Sequence, residues 1–216
     1  VLSALAACPL EQQLAVTLES EAARDALGTF ATVVGELLRR LDEALIDDLA
    51  SGYADVYLRH TYRAAPTESV WMTEDGLERQ APMFTIRAIY RRHNLKVTDW
   101  ANRPDDHIVL QLRFIAHVLS RADHSSDVAA ATRFLDEHLL RWIRAFAARL
   151  IDGGAPDLFA ASALLTAAYL EEIRDHLTAI TGIERPAPRP LVPHRATARA
   201  SEAAERPYVP GLTPSW

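Results

Sequence analysis

The feature that most constrains this chain is a ladder in its second half. Phe134, His138, Trp142, Phe146 and Leu150 recur at every fourth position, with Leu135, Leu139 and Ile143 beside them. Side chains at that spacing stack along one helical face, so the ladder predicts a helix whose one side is committed to a core. A second helix of the same unit precedes it, with Ile108, Leu112, Ile115 and Leu119 at helical spacing and Phe114 and Val118 widening the stripe. Asp152-Gly153-Gly154 closes the ladder helix, and the next carries Phe159, Leu165, Tyr169, Ile173, Leu177 and Ile180.

The first half repeats the pattern less cleanly. Helices are expected from Glu11 to about Ala50, interrupted near Gly28 and Gly35. Leu37, Leu38, Leu41, Leu45, Ile46 and Leu49 are expected to form the apolar face of an amphipathic helix. A segment bearing Tyr53, Val56, Tyr57, Leu58 and Tyr62 ends at Pro66, where a loop over 66–76 opens and Asp75-Gly76 marks a tight turn. Trp71 sits in that loop, where no periodicity would bury it. Helix resumes from Ala81 to about His93, with Asn94 suited to its end.

Ala, Leu, Arg and Glu are abundant and glycine is scarce, which favours helix over sheet. The expected fold is all-α: a helical bundle of two helical units, 1–103 and 104–183, joined by a hinge near residues 100–107 and followed by a proline-rich, disordered tail over 184–216. A net charge of -6 argues against nucleic-acid binding, which needs a basic face. Cys8 is the only cysteine, so no intramolecular disulfide or cysteine-held metal is expected, and a reducing cytoplasm is the default. The stretch Val1 to Leu10 lacks the basic start and long apolar run of a signal peptide, and no run is long enough to cross a bilayer.

Chemistry is concentrated at Pro104-Asp105-Asp106-His107. Two readings are open there. In one, Asp105 caps a helix, and Asp106 and His107 fill its first turn. In the other, Asp106 accepts a guanidinium and His107 is a hydrogen-bonding group. No nucleophile elbow surrounds Ser69, no glycine-rich phosphate loop occurs, and the histidines show no metal-binding spacing, so neither a cofactor nor a metal is expected.

Pro66-x-Glu68-Ser69-Val70-Trp71 in a mid-chain loop, followed by Pro104-x-Asp106-His107-Ile108 at the head of a second helical unit, resembles the TorD/DmsD family of molybdoenzyme maturation chaperones. Phe134-x-x-x-His138-Leu139-x-x-Trp142 is similar to that family's C-terminal helix pattern. The resemblance implies a non-enzymatic cytoplasmic chaperone. Its partner would be the catalytic subunit of a molybdopterin oxidoreductase, bound through its twin-arginine signal peptide and held as the apo form until the molybdenum cofactor is inserted. Premature export would thereby be prevented.

By position, the resemblance makes Asp106 and His107 hinge residues for peptide binding, with Asp105 beside them, Pro104 shaping the turn and Trp71 lining the groove; Pro66, Glu68 and Ser69 are the loop signature. Asp106→Ala or His107→Ala is then expected to weaken leader binding with little change in melting. Arg103 and Gln111 stand where the family often has glutamates. Neither nucleic-acid binding nor stable membrane insertion is implied, and a monomer or a domain-swapped homodimer fits. The other classes open from the sequence are a helical hydrolase or transferase using Asp106 with His107 as an acid–base pair, and a helical adapter protein.

Overall fold

The computed structural model describes residues 20–121 and 125–191. The early part of the helix expected from Glu11, the Val1 to Leu10 stretch and the tail beyond residue 191 lie outside the described residues. All regular elements among the described residues are helical. By contacts, the described residues up to Pro66 group with His107–Arg189, and Thr67–Asp106 form a second compact unit. The grouping is discontinuous in sequence.

In the first unit, helix α1 (Glu21–Arg39) starts at Ser20, whose side chain accepts from the Ala23 amide. It runs unbroken through Gly28 and Gly35, contrary to the expected interruptions: an isolated glycine costs a helix only about 1 kcal/mol, less than the surrounding turns supply. The break falls at residues 40–42, where Asp42 accepts from the Leu45 amide at 2.7 Å and starts α2 (Glu43–Tyr57). The single amphipathic helix expected across Leu37 to Leu49 is therefore two helices, and Leu38, Leu41 and Ile46 are exposed.

The later helices of this unit follow the sequence closely. They are α5 (Ile108–Ser120), α6 (Ser125–Phe134), a π-helical turn (Leu135–Leu139), α7 (Leu140–Asp152) and α8 (Asp157–Thr181). Phe134, Leu135, His138, Leu139, Trp142, Ile143, Phe146 and Leu150 are all buried, as the ladder requires. The π turn has a physical purpose. In a helix of 3.6 residues per turn, each four-residue step drifts around the axis by about 40°. The wider π turn rotates less per residue and offsets that drift, which keeps the ladder on one side.

Helix α8 packs against α1 and α7. Ala23 and Leu27 of α1 meet Leu165 and Ala168 of α8, pairing an alanine and a leucine from each helix. Gly52 of α2 is equally tight, since a Cβ there would lie 2.8 Å from a ring carbon of Phe159. Arg174, fully buried, grips Asp136 of the π turn through Nε at 2.7 Å and Nη2 at 2.8 Å, and also reaches Thr178 and the Ile183 carbonyl. Gly154 and Gly182, both at positive φ, end α7 and α8.

The second unit holds α3 (Glu68–Met72) and α4 (Ala81–Arg92), which pack on each other. The expected loop over 66–76 contains the short α3, and its tight turn is where Asp75-Gly76 placed it: Gly76 has φ 60° and its amide donates to the Thr73 carbonyl. Met83, Ile86 and Tyr90 form the buried face of α4, and Asn94 adopts the left-handed conformation just past its end.

Candidate functional site

Both motif blocks contribute to the second unit, and there they are joined. The carboxylate of Asp106 accepts from the Ser69 amide at 2.8 Å and from the Ser69 hydroxyl at 2.5 Å, both on Oδ2. The Glu68 amide donates to the Asp106 carbonyl at 3.1 Å, and the Ser69 hydroxyl in turn accepts from the Gln80 amide. Asp106 thus ties the first turn of α3 to the end of the unit, as a side chain standing in for the acceptors a short helix start lacks.

Asp105, buried beside it, takes Arg87 of α4 on one carboxylate oxygen, at 2.7 Å from Nη2 and 3.2 Å from Nε. The Tyr90 hydroxyl donates to the Asp105 carbonyl. That ion pair holds the Arg87 guanidinium more firmly protonated, chiefly through its hydrogen bond to Asp105. Burial pushes the Asp106 carboxyl above the usual carboxylate range; the bonds from Ser69 oppose this and the Glu68 charge adds to it. Burial, and then the charges of Asp105, Asp106 and Glu68, push the Tyr90 phenol up as well.

These placements revise the expectation for the helix start. Asp105 is not an N-cap and Asp106 is not in a first turn: α5 begins at Ile108, capped by His107, whose Nδ1 accepts from the Val109 amide at 3.2 Å. Two acids that read as surface capping groups are instead in the interior. Trp71 is also interior, with 4% exposure on α3, so it is not displayed on irregular backbone. Pro66, Glu68, Ser69 and Pro104 are buried too, and His107 is the one member of the 104–107 block with part of its surface in solvent. Asp106 is fully buried, which argues for a loss of stability on Asp106→Ala. Arg103 is exposed, and Gln111 is buried in α5.

Sequence reasoning missed Arg87, Tyr90 and Gln80 as partners of the motif residues. A signal was present for Arg87: it is a cation flanking the Met83, Ile86, Tyr90 stripe of α4, well placed to meet a buried acid. Among the described residues, no group of three or more His, Cys, Asp or Glu is placed to hold a metal ion. Nor is any helix among them long and apolar enough to cross a membrane.

Among the described residues the regular elements are all helical, and a buried Ser–Asp tie joins the two motif blocks. A sequence model of the family described as Nitrate reductase delta subunit matches residues 18–148, more than half of the chain. The chain belongs to this family, within the TorD group that its motif blocks resemble. It is 33% identical over 147 residues to the chaperone protein TorD of Vibrio cholerae serotype O1, El Tor Inaba, covering 64% of this chain and 66% of that protein. TorD of the classical Ogawa strain is 33% identical over 133 residues, covering 58% and 60%. TorD of Vibrio vulnificus is 27% identical over 139 residues, covering 61% and 64%. The chain therefore spans slightly under two thirds of the length of these relatives.

Proposed function

We propose that this protein is a non-enzymatic, cytoplasmic maturation chaperone for a molybdopterin oxidoreductase. It binds the twin-arginine leader and the apo catalytic subunit, assists insertion of the molybdenum cofactor and holds back export until that is done. The observation that carries this reading is the family match over residues 18–148, which include both motif blocks, together with the similarity to proteins named chaperone protein TorD. Of the residues assigned to peptide binding, His107 is the direct contact, because part of its surface is open to solvent. Pro104, Asp105, Asp106 and Trp71, being buried, set the backbone on which it stands. Glu68 and Ser69 serve the same support through their bonds to Asp106, and Pro66 through its carbonyl, which accepts from the Ile108 amide.

The acid–base alternative gains nothing from these positions. Asp106 Oδ2 is spent on Ser69 and His107 Nδ1 on a helix cap, neither of which is the pose of a general base awaiting substrate. The test is calorimetric titration of the purified protein with the twin-arginine leader of a molybdoenzyme encoded beside it, and with the apo subunit. Saturable binding is expected, weakened by His107→Ala and retained by Asp106→Asn. Absence of binding to both leader and subunit refutes the chaperone reading.

A further inference from the structure

One exposed cluster in the second unit is used by none of this. Phe84 and Trp100 are large rings left 56% and 51% exposed, and the Arg87 guanidinium lies between them, 5.5 Å from the Phe84 centroid and 5.7 Å from that of Trp100. Its position is fixed from below by buried Asp105. The Trp100 loop is fixed as well: Asn102 and the Arg103 amide bond to Asp99, and Arg79 donates to the Ala101 carbonyl. The rings and the cation are thus set before any partner arrives, which removes much of the ordering cost of binding. Aromatic residues and arginine are also the types that dominate binding energy at interfaces.

Charge selects the occupant. Helix α4 carries no acidic residue, and Phe84, Arg87, Ala88 and Arg91 follow one another along a single helical face. Arg79 adds a second cation beside the Trp100 loop. Asp105 is neutralised by Arg87, and Asp99, which accepts from Asn102, keeps its charge against those of Arg79 and Arg91. We propose that the Phe84, Arg87, Arg91 and Trp100 face is a docking surface for an acidic polypeptide segment bearing apolar side chains. Resting on the chaperone reading, that segment belongs to the body of the client subunit and not to its leader. A twin-arginine leader carries charge of the same sign as this face. The surface therefore gives the chaperone a second grip, selective for charge opposite in sign to that of the leader.

The test uses fluorescence anisotropy with a short labelled peptide alternating Glu with Leu and Phe, the same peptide with Lys in place of Glu, and a single-stranded RNA of similar length. The Glu peptide is expected to bind saturably and the Lys peptide not to bind. Phe84→Ala with Trp100→Ala should weaken the Glu peptide by about tenfold or more, the scale of one interface hot spot. Arg91→Glu should weaken it too. Thermal melting and leader binding should be unchanged in both variants. Equal affinity in the variants, preference for the Lys peptide or the RNA, or loss of leader binding overturns the proposal. A protein that binds the Glu peptide but neither leader nor subunit keeps the docking surface and loses the chaperone reading with its client assignment, whereas one that binds leader and subunit but not the Glu peptide loses the docking surface alone.

Discussion

Removing the Asp106 carboxylate should unfold far more than a helix cap would. Asp106→Ala leaves two buried donors, the Ser69 amide and hydroxyl, without the oxygen they share. Each such group costs about 1–3 kcal/mol, so the gross penalty is about 2–6 kcal/mol. Part is recovered because a buried carboxylate no longer has to be accommodated, which leaves a net loss of about 2–4 kcal/mol. For a domain of this size that is a fall in Tm of about 5–15 °C. Asp106→Asn keeps an acceptor oxygen in place and should lie within about 1 kcal/mol of the parent.

The two variants also separate charge from hydrogen bonding through pH. The folded Asp106 carboxyl titrates above its unfolded value, so between the two values the folded state holds more protons than the unfolded state. The parent protein therefore loses stability from this group as pH rises through the raised folded value, whereas the Asn variant does not. Asp106→Asn should gain on the parent over that window and then level off. Denaturant titrations from mildly acidic to slightly alkaline pH measure both effects. An Asp106→Ala protein melting within a degree of the parent, or an Asn variant losing ground as pH rises, would refute the buried tie.

Three further outcomes follow from packing and are read by thermal or denaturant melting. Gly28→Ala and Gly35→Ala should each stabilise by about 0.5–1 kcal/mol, because both positions are helical and an added Cβ meets nothing within 4 Å. Gly52→Ala should instead destabilise by about 1–3 kcal/mol, since its Cβ would lie 2.8 Å from Phe159 and 3.0 Å from Pro156. Arg174→Met should cost about 3–5 kcal/mol by stranding Asp136, and adding Asp136→Leu should restore most of the loss.

Helix identity was legible wherever packing is periodic. The ladder from Phe134 to Leu150, the Gly153-Gly154 stop and the Asp75-Gly76 turn all appear where spacing and turn chemistry put them. Periodicity misled between Leu37 and Leu49, because a three-residue turn at 40–42 preserves helical spacing while redirecting the chain. At the site, the motif positions were legible but their environment was not. Asp105-Asp106 reads as a capping pair from local rules, and only the distant Ser69 and Arg87 explain why two acids are interior. The π turn has no signature in residue type; its trace is a four-residue repeat too long to stay on one side of an ordinary helix.

The junctions near Pro66 and Asp106 have a consequence for how this chain tolerates change. Within one unit the Ile108 amide bonds to the Pro66 carbonyl, and within the other the Glu68 amide bonds to the Asp106 carbonyl. Each unit therefore has its own ends stitched together where the chain leaves and returns. Residues 67–106 are in effect a closed loop whose entropic cost grows only slowly with length, by about 0.6 kcal/mol per doubling. Length changes between Met72 and Arg103 leave both stitches in place, because Pro66, Glu68, Asp106 and Ile108 lie outside that span. A chain built this way can vary the length of what it presents there while the residues that close it keep their bonds.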